Sequence, residues 1–165
     1  MSENQKALYY YQVTDLWKRF CEEHSTLYNM TCEEYEILLS SNVDSLEDKI
    51  QQKEDIILNI SALEQVRQQV IEKINAENIL DYKIERVRDL LDAFENYEKE
   101  TNQAHLRNFN DLLIELIENI QAQNKKNQIF INKALNSLRE IRESAQGKKS
   151  YSTYNSTGKQ QNNGV

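Results

Sequence analysis

The sequence predicts an all-α protein: an elongated antiparallel helical hairpin or bundle with coiled-coil character, followed by a flexible C-terminal tail. The 165 residues include no proline, and the three glycines all lie at or after position 147. A sheet protein of this length needs many turns rich in glycine and proline. A hydrophobic content of 39% suits helices that each bury one stripe. We therefore predict a helical domain over residues 1–146 and a polar tail over residues 147–165.

The first helix is predicted over residues 5–40, because its apolar residues recur three, four or seven apart. Three adjacent tyrosines, at positions 9–11, cannot all face one core, so at least one of them is expected to be exposed. The predicted stripe contains Val13, Leu16, Trp17, Phe20, Leu27, Tyr28, Tyr35, Leu38 and Leu39.

The second helix is predicted to begin near Val43 and to reach about residue 75. Asn42 suits the N-cap, since its side chain can accept a hydrogen bond from an amide of the first turn. A helical segment over residues 79–98 either continues this helix or folds back, and Thr101 or Asn102 is expected to cap the next helix. The stripe predicted for the second helix contains Leu46, Ile50, Ile57, Ile60, Leu63, Val66, Val70 and Ile74.

The last helix, predicted over residues 102–146, has the clearest repeat. Its apolar residues from 106 to 120 alternate three and four apart, which is typical of a coiled-coil seam. A further step of four then places Asn124 and Asn127 in the seam. The two asparagines either form a polar layer that sets the helix register or belong to a groove that receives a partner helix. The predicted groove contains Asn124, Asn127, Ile131, Leu135, Leu138 and Ile141.

Composition excludes several classes of function. The net charge is -7 and the pI is about 5.0, which disfavours binding to nucleic acid, and no apolar run is long enough for stable membrane insertion. We expect a cytoplasmic protein in which Cys21 and Cys32 are free thiols. His24 and His105 lack the neighbours of a nucleophilic or metal site, so no enzyme activity, cofactor or metal is predicted.

The order of the sequence features along the chain resembles that of the FlgN family of flagellar export chaperones. Residues 36–46, which read EILLSSNVDSL and precede Lys53, Glu54 and Arg67, resemble the turn of the long N-terminal hairpin of the family. Residues 124–127, NKKN, are similar to the Asn-x-x-Asn of its last helix. Residues 154–160, YNSTGKQ, resemble its tail pattern Tyr-x-x-x-Gly-x-Gln.

The resemblance implies a chaperone that binds the C-terminal helices of hook–filament junction proteins (FlgK-like and FlgL-like) and prevents their premature assembly. It also implies delivery of this cargo to the cytoplasmic domain of the type III export gate through a tail tyrosine. The matching gate-docking residues are Tyr154 and Gly158, with Tyr151 as a second candidate tyrosine. Thr157 departs from the acidic residue that is common in the family pattern.

Two other classes of function remain open at the level of sequence. One is a structural coiled-coil protein, which would associate with itself through the seam of the last helix. The other is a chaperone of a non-flagellar type III secretion substrate, which the sequence hardly distinguishes from a flagellar chaperone.

Overall fold

The computed structural model describes residues 3–153, with side chains described from residue 3 to residue 147. It contains α1 (Glu3–Ser40), α2 (Val43–Ala76), α3 (Val87–Thr101) and α4 (His105–Thr153), and no strand among the described residues. The prediction of an all-α fold is therefore confirmed. The described residues divide into two compact units, one ending at Asn124 and the other beginning at Lys125.

A tight turn reverses the chain between α1 and α2. Ser41 adopts a positive φ of 56°, and the Oδ1 atom of Asn42 accepts a hydrogen bond from the backbone N–H of Ser45 at 3.2 Å. This bond satisfies one of the amides that the first turn of a helix leaves without a partner. The predicted N-cap and the start of α2 at Val43 are confirmed.

The inward faces of α1 and α2 follow a coiled-coil spacing over almost their whole length. Along each helix, buried or half-buried residues recur at alternating steps of three and four, as expected for helices that pack through a heptad seam. The seam of α1 contains Tyr10, Val13, Trp17, Phe20, His24, Leu27, Thr31, Glu34 and Leu38. The seam of α2 contains Leu46, Lys49, Lys53, Ile56, Ile60, Leu63, Arg67, Val70 and Ile74.

The predicted stripe of α2 is wrong at three positions, because Ile50, Ile57 and Val66 are exposed. Lys49 and Lys53 occupy the seam instead. Both lysines are partly buried, and they form ion pairs with Glu33 and Glu34 of α1, respectively. The long lysine stems can lie along the seam while their ammonium groups reach these carboxylates. A prediction based on hydrophobicity alone therefore placed part of the seam on the neighbouring face of α2.

The segment after α2 folds back instead of extending it. α2 ends at Ala76, and Asn78 has a positive φ of 50°. Asn75 then binds Ile84 twice, since its amide nitrogen donates to the carbonyl oxygen at 2.9 Å and its Oδ1 accepts from the backbone N–H at 2.8 Å. These bonds hold the loop that leads into α3, which closes the core beside Tyr10 through its aromatic residues Phe94 and Tyr97.

Asn102 ends α3 and does not begin α4. It adopts a left-handed conformation with φ 52° and ψ 44°, and its backbone N–H donates to the carbonyl oxygens of Glu98 and Lys99. The prediction that Thr101 or Asn102 caps the next helix is therefore wrong. Asparagine tolerates the left-handed region better than most residues, which suits it to the end of a helix.

The first part of α4 contacts α1 through two hydrogen bonds. The Nε1 atom of Trp17 donates to Oδ1 of Asn110 at 3.1 Å, and Sγ of Cys21 donates to the carbonyl oxygen of Phe109 at 3.2 Å. The hydrophobic core at this end includes Trp17, Phe20, Ile74, Phe94 and Leu106. α1, α2 and the first part of α4 therefore share one buried core.

α4 continues to Thr153, so its helical backbone passes the predicted start of the tail at Gly147. A glycine lowers helix stability by about 1 kcal/mol relative to alanine but does not prevent helix formation. The predicted docking residues Tyr154 and Gly158 lie outside the described residues, as does the side chain of Tyr151.

Candidate functional site

The C-terminal half of α4 presents apolar side chains to solvent. Leu138 is 60% exposed and Ile141 is 66% exposed, Leu135 is also exposed, and Ile131 is half-buried. Spacings of three and four place these four residues on one face of the helix. We call Ile131, Leu135, Leu138 and Ile141 the α4 surface. Every residue from 132 to 145 is exposed, so leucine and isoleucine here are not explained by a core.

The two asparagines predicted for the groove differ in their environment. Asn127 is only 2% exposed, whereas Asn124 is exposed and accepts a hydrogen bond from Lys53 at 3.3 Å. Burial of Asn127 favours the polar-layer alternative for this residue. After Ile120, the half-buried position is Gln123 rather than Asn124, so the alternation of three and four continues without the predicted step of four.

The interior near the α1–α2 turn is polar, a feature that sequence reasoning missed. Lys53 approaches Glu34 at 3.3 Å, and both side chains are at most 14% exposed. Thr31 is fully buried, and its hydroxyl donates to the carbonyl oxygen of Leu27 at 2.7 Å. The available signal was the spacing of the lysines, because Lys53 lies three residues before Ile56 and Lys49 lies four residues before Lys53, where a heptad requires inward side chains.

One buried carboxylate organises the start of α4. Oε2 of Glu98 accepts hydrogen bonds from the hydroxyl of Tyr10 at 2.7 Å and from the backbone N–H of Leu106 at 3.0 Å. Its Oε1 atom accepts from the backbone N–H of Arg107 at 3.2 Å. Glu98 therefore performs from α3 the role of an N-cap for α4, and its negative charge suits the positive end of the helix dipole. Burial, followed by the bond to Glu98, raises the pKa of Tyr10 to about 12.

The described residues offer little for catalysis. Burial raises the pKa of the Cys21 thiol, which disfavours the nucleophilic thiolate. A cavity of about 380 Å³ between α3 and the start of α4 is lined mainly by charged side chains of helix surfaces, including Arg88, Asp92 and Glu95. Residues 3–147 contain no group of three or more histidine, cysteine or acidic side chains that could hold a metal ion. Across the same residues, no helix is long and apolar enough to cross a membrane.

The arrangement suits binding of another helix, because an exposed apolar face on a long helix is completed when a partner helix covers it. A comparison with curated proteins and one with solved structures each gave no match. The family model described as FlgN protein matches residues 10–162, which is nearly the whole chain and includes α1 to α4 almost entirely. The chain therefore belongs to the FlgN family of flagellar export chaperones.

Proposed function

We propose that this protein is a cytoplasmic export chaperone that binds the C-terminal helices of hook–filament junction proteins on the α4 surface. Members of its family bind flagellar proteins, and the finer assignment of cargo is our proposal. The observation that supports it is the exposure of Leu135, Leu138 and Ile141 on one face of α4. With Ile131 on the same face, Ile131, Leu135 and Leu138 supply anchors at positions i, i+4 and i+7, the spacing that helix recognition uses.

The same surface accounts for a chaperone activity in physical terms. The C-terminal helices of junction proteins are amphipathic, so their apolar faces associate when they remain uncovered. Covering them with Leu135, Leu138 and Ile141 removes apolar area of both partners from water. Binding therefore prevents premature assembly without any covalent step.

A test replaces one central residue of the α4 surface. Leu138→Asp removes a side chain that is 60% exposed in the free protein. The variant therefore loses the binding free energy of about 1–2 kcal/mol that burial of this leucine by the partner would contribute. It also places a carboxylate in the contact, so we expect the Kd for the C-terminal segment of a junction protein to rise by at least about tenfold. Isothermal titration calorimetry measures the affinity, and circular dichroism checks that the helices remain.

Asn136→Asp is the matched control. It introduces the same charge on an exposed residue of the same helix, about 200° around the axis from Leu138. Its affinity for the junction-protein segment should equal that of the wild type. Equal affinities for Leu138→Asp and Asn136→Asp in folded protein would exclude the α4 surface as the cargo site.

We further propose that Tyr154, with Gly158, docks the loaded chaperone on the cytoplasmic domain of the export gate. The support is the resemblance of residues 154–160 to the family tail pattern. A tyrosine in a polar segment can anchor a contact, because its ring is apolar and its hydroxyl binds a polar partner. Tyr154→Ala should lower gate affinity and export and leave cargo affinity unchanged. A larger loss of gate affinity for Tyr151→Ala would assign docking to that tyrosine instead.

A further inference from the structure

The α1–α2 hairpin has two halves with different interiors. We call residues 24–59, on either side of the α1–α2 turn, the turn half, and the rest of α1 and α2 the core half. Five of the nine seam residues of the core half are buried, whereas of the nine in the turn half, all of them described, only Leu27 and Thr31 are buried. Among the described residues, the hydrophobic core includes none of α1 after Phe20 and none of α2 before Ile60. The turn half therefore has little apolar burial to hold it closed.

Lys53 joins three helices in the turn half. Its ammonium group has three hydrogen atoms to donate. It donates to both carboxylate oxygens of Glu34 in α1, at 3.4 and 3.3 Å, and to Oδ1 of Asn124 in α4, at 3.3 Å. The side chains of Lys53 and Glu34 are 14% and 13% exposed, so both charged groups are largely removed from water. One lysine therefore connects α1, α2 and α4 at the level of Asn124.

The two ion pairs of the turn half add little net stability to it. Taking both charges of the Lys53–Glu34 pair out of water costs about as much free energy as their mutual attraction returns. In the second pair, between Lys49 and Glu33, the carboxylate side chain is 52% exposed, and solvent screens such a pair. Removal of one partner of a buried pair is costly, however, because the remaining charge stays away from water. The stability of the turn half therefore depends on Lys53 and Glu34 being present together.

We infer that the turn half opens as a local unit while the core half stays folded, that the Lys53–Glu34 pair controls this opening, and that the opening releases α4 at Asn124. Proteins open locally where apolar burial is low, at a smaller free energy than global unfolding requires. Asn124 is the last residue of its compact unit and lies seven residues before Ile131, where the α4 surface begins. Opening of the turn half therefore loosens the part of α4 that leads into this surface. It requires neither cargo nor the export gate, so it goes beyond the proposed function.

Native-state hydrogen exchange of the full chain, measured residue by residue, tests this local opening. After correction for intrinsic rates, the amides of residues 27–37 and 46–56 should exchange at least about tenfold faster than those of residues 10–20 and 63–74. Ile74→Val, which removes a buried methylene of the core half, should speed exchange there about threefold to tenfold and leave the turn half unchanged, because the turn half opens without disturbing Ile74. Equal protection of the two halves, or equal acceleration of both by Ile74→Val, would overturn the inference.

Substitution of Lys53 tests the role of the ion pair in the same experiment. Lys53→Met leaves the Glu34 carboxylate in the seam without this ammonium group. The amides of the turn half and those of residues 116–124 should therefore exchange at least about tenfold faster than in the wild type. Lys53→Met with Glu34→Leu replaces both charges with apolar groups, so its turn half should exchange no faster than that of the wild type.

Lys18→Met is the matched control, because Lys18 pairs with Glu22 on the surface of α1, where both side chains are more than half exposed. It should change exchange in either half by no more than about twofold. A double variant whose turn half exchanges as fast as that of Lys53→Met, or a Lys53→Met turn half that exchanges like that of Lys18→Met, would exclude control by the ion pair. Unchanged exchange of residues 116–124 in Lys53→Met would exclude the release of α4. Each of these outcomes would overturn the inference.

Discussion

The contact of Glu98 with Tyr10 and the start of α4 predicts a large effect of a small substitution. Glu98→Gln keeps the shape of the side chain, removes its charge, and replaces one acceptor oxygen with an NH2 group. If the amide oxygen serves Tyr10 and Leu106, the NH2 group faces the backbone N–H of Arg107, which donates at 3.2 Å in the native protein. A hydrogen bond to a charged group contributes about 1.5–3 kcal/mol to stability. We therefore expect the free energy of unfolding to fall by about 2 kcal/mol.

Urea denaturation followed by circular dichroism measures this change, and a double-mutant cycle assigns it. Tyr10→Phe removes the hydroxyl that donates to Oε2 at 2.7 Å. Because the two side chains share that bond, their coupling energy should be at least about 1 kcal/mol. Glu100→Gln is the control on an exposed residue of the same helix and should change stability by no more than about 0.5 kcal/mol. A stability of Glu98→Gln equal to that of the control would refute the capping role of the carboxylate.

Three further predictions concern pH, the α1–α2 turn and the end of α4. The pKa of Tyr10 is about 12 in the folded protein and about 10 in an unfolded chain, so its neutral form contributes stability that is present below pH 10 and lost as the pH rises to 12. The loss should reach about 2–3 kcal/mol and be absent in Tyr10→Phe, as measured by urea denaturation across this pH range. Asn42→Ala should lower the free energy of unfolding by about 1 kcal/mol, because the Ser45 amide loses its cap, whereas Asn42→Ser should retain most of the wild-type value. Gly147→Ala should slow hydrogen exchange of the surrounding amides about fivefold, because a Cβ there meets no atom within 4 Å and alanine favours the helix by about 1 kcal/mol; unchanged exchange would argue against a helix at this position.

The elements that sequence predicted well are those that local chemistry specifies. The absence of proline and of early glycine, together with apolar residues three and four apart, predicted the helices. Asn42 predicted the start of α2, because its side chain acts within its own turn. The exposure of one tyrosine in the run 9–11 also followed from geometry, and Tyr11 is that residue. The apolar face of α4 was predicted in the same way, since Leu135, Leu138 and Ile141 need no contact elsewhere in the chain to share a face.

Errors arose where a choice between similar local signals depended on a distant partner. Asn102 suits either end of a helix, and in the structure it ends α3, while Glu98 caps the start of α4. Asn124 and Gln123 are both polar neighbours in α4, and only Asn124 lies exposed with Lys53 as its partner. Helix propensity predicts neither result, because asparagine is compatible with either end of a helix, and asparagine and glutamine are each compatible with an inward or an outward position.

The sequence by itself determined that the chain is helical, where the α1–α2 turn lies, and that α4 carries an apolar face beyond the needs of a core. Tertiary structure decided which face of α2 points inward. Ile50 and Ile57 are more hydrophobic than Lys49 and Lys53, yet the lysines occupy the seam. Burial of a lysine is costly unless a carboxylate meets it, and Glu33 and Glu34 lie across the hairpin at the required positions. Because that compensation depends on residues 16 and 19 positions away in the sequence, it exists only once the two helices have paired, and the pairing leaves Ile50 and Ile57 in solvent.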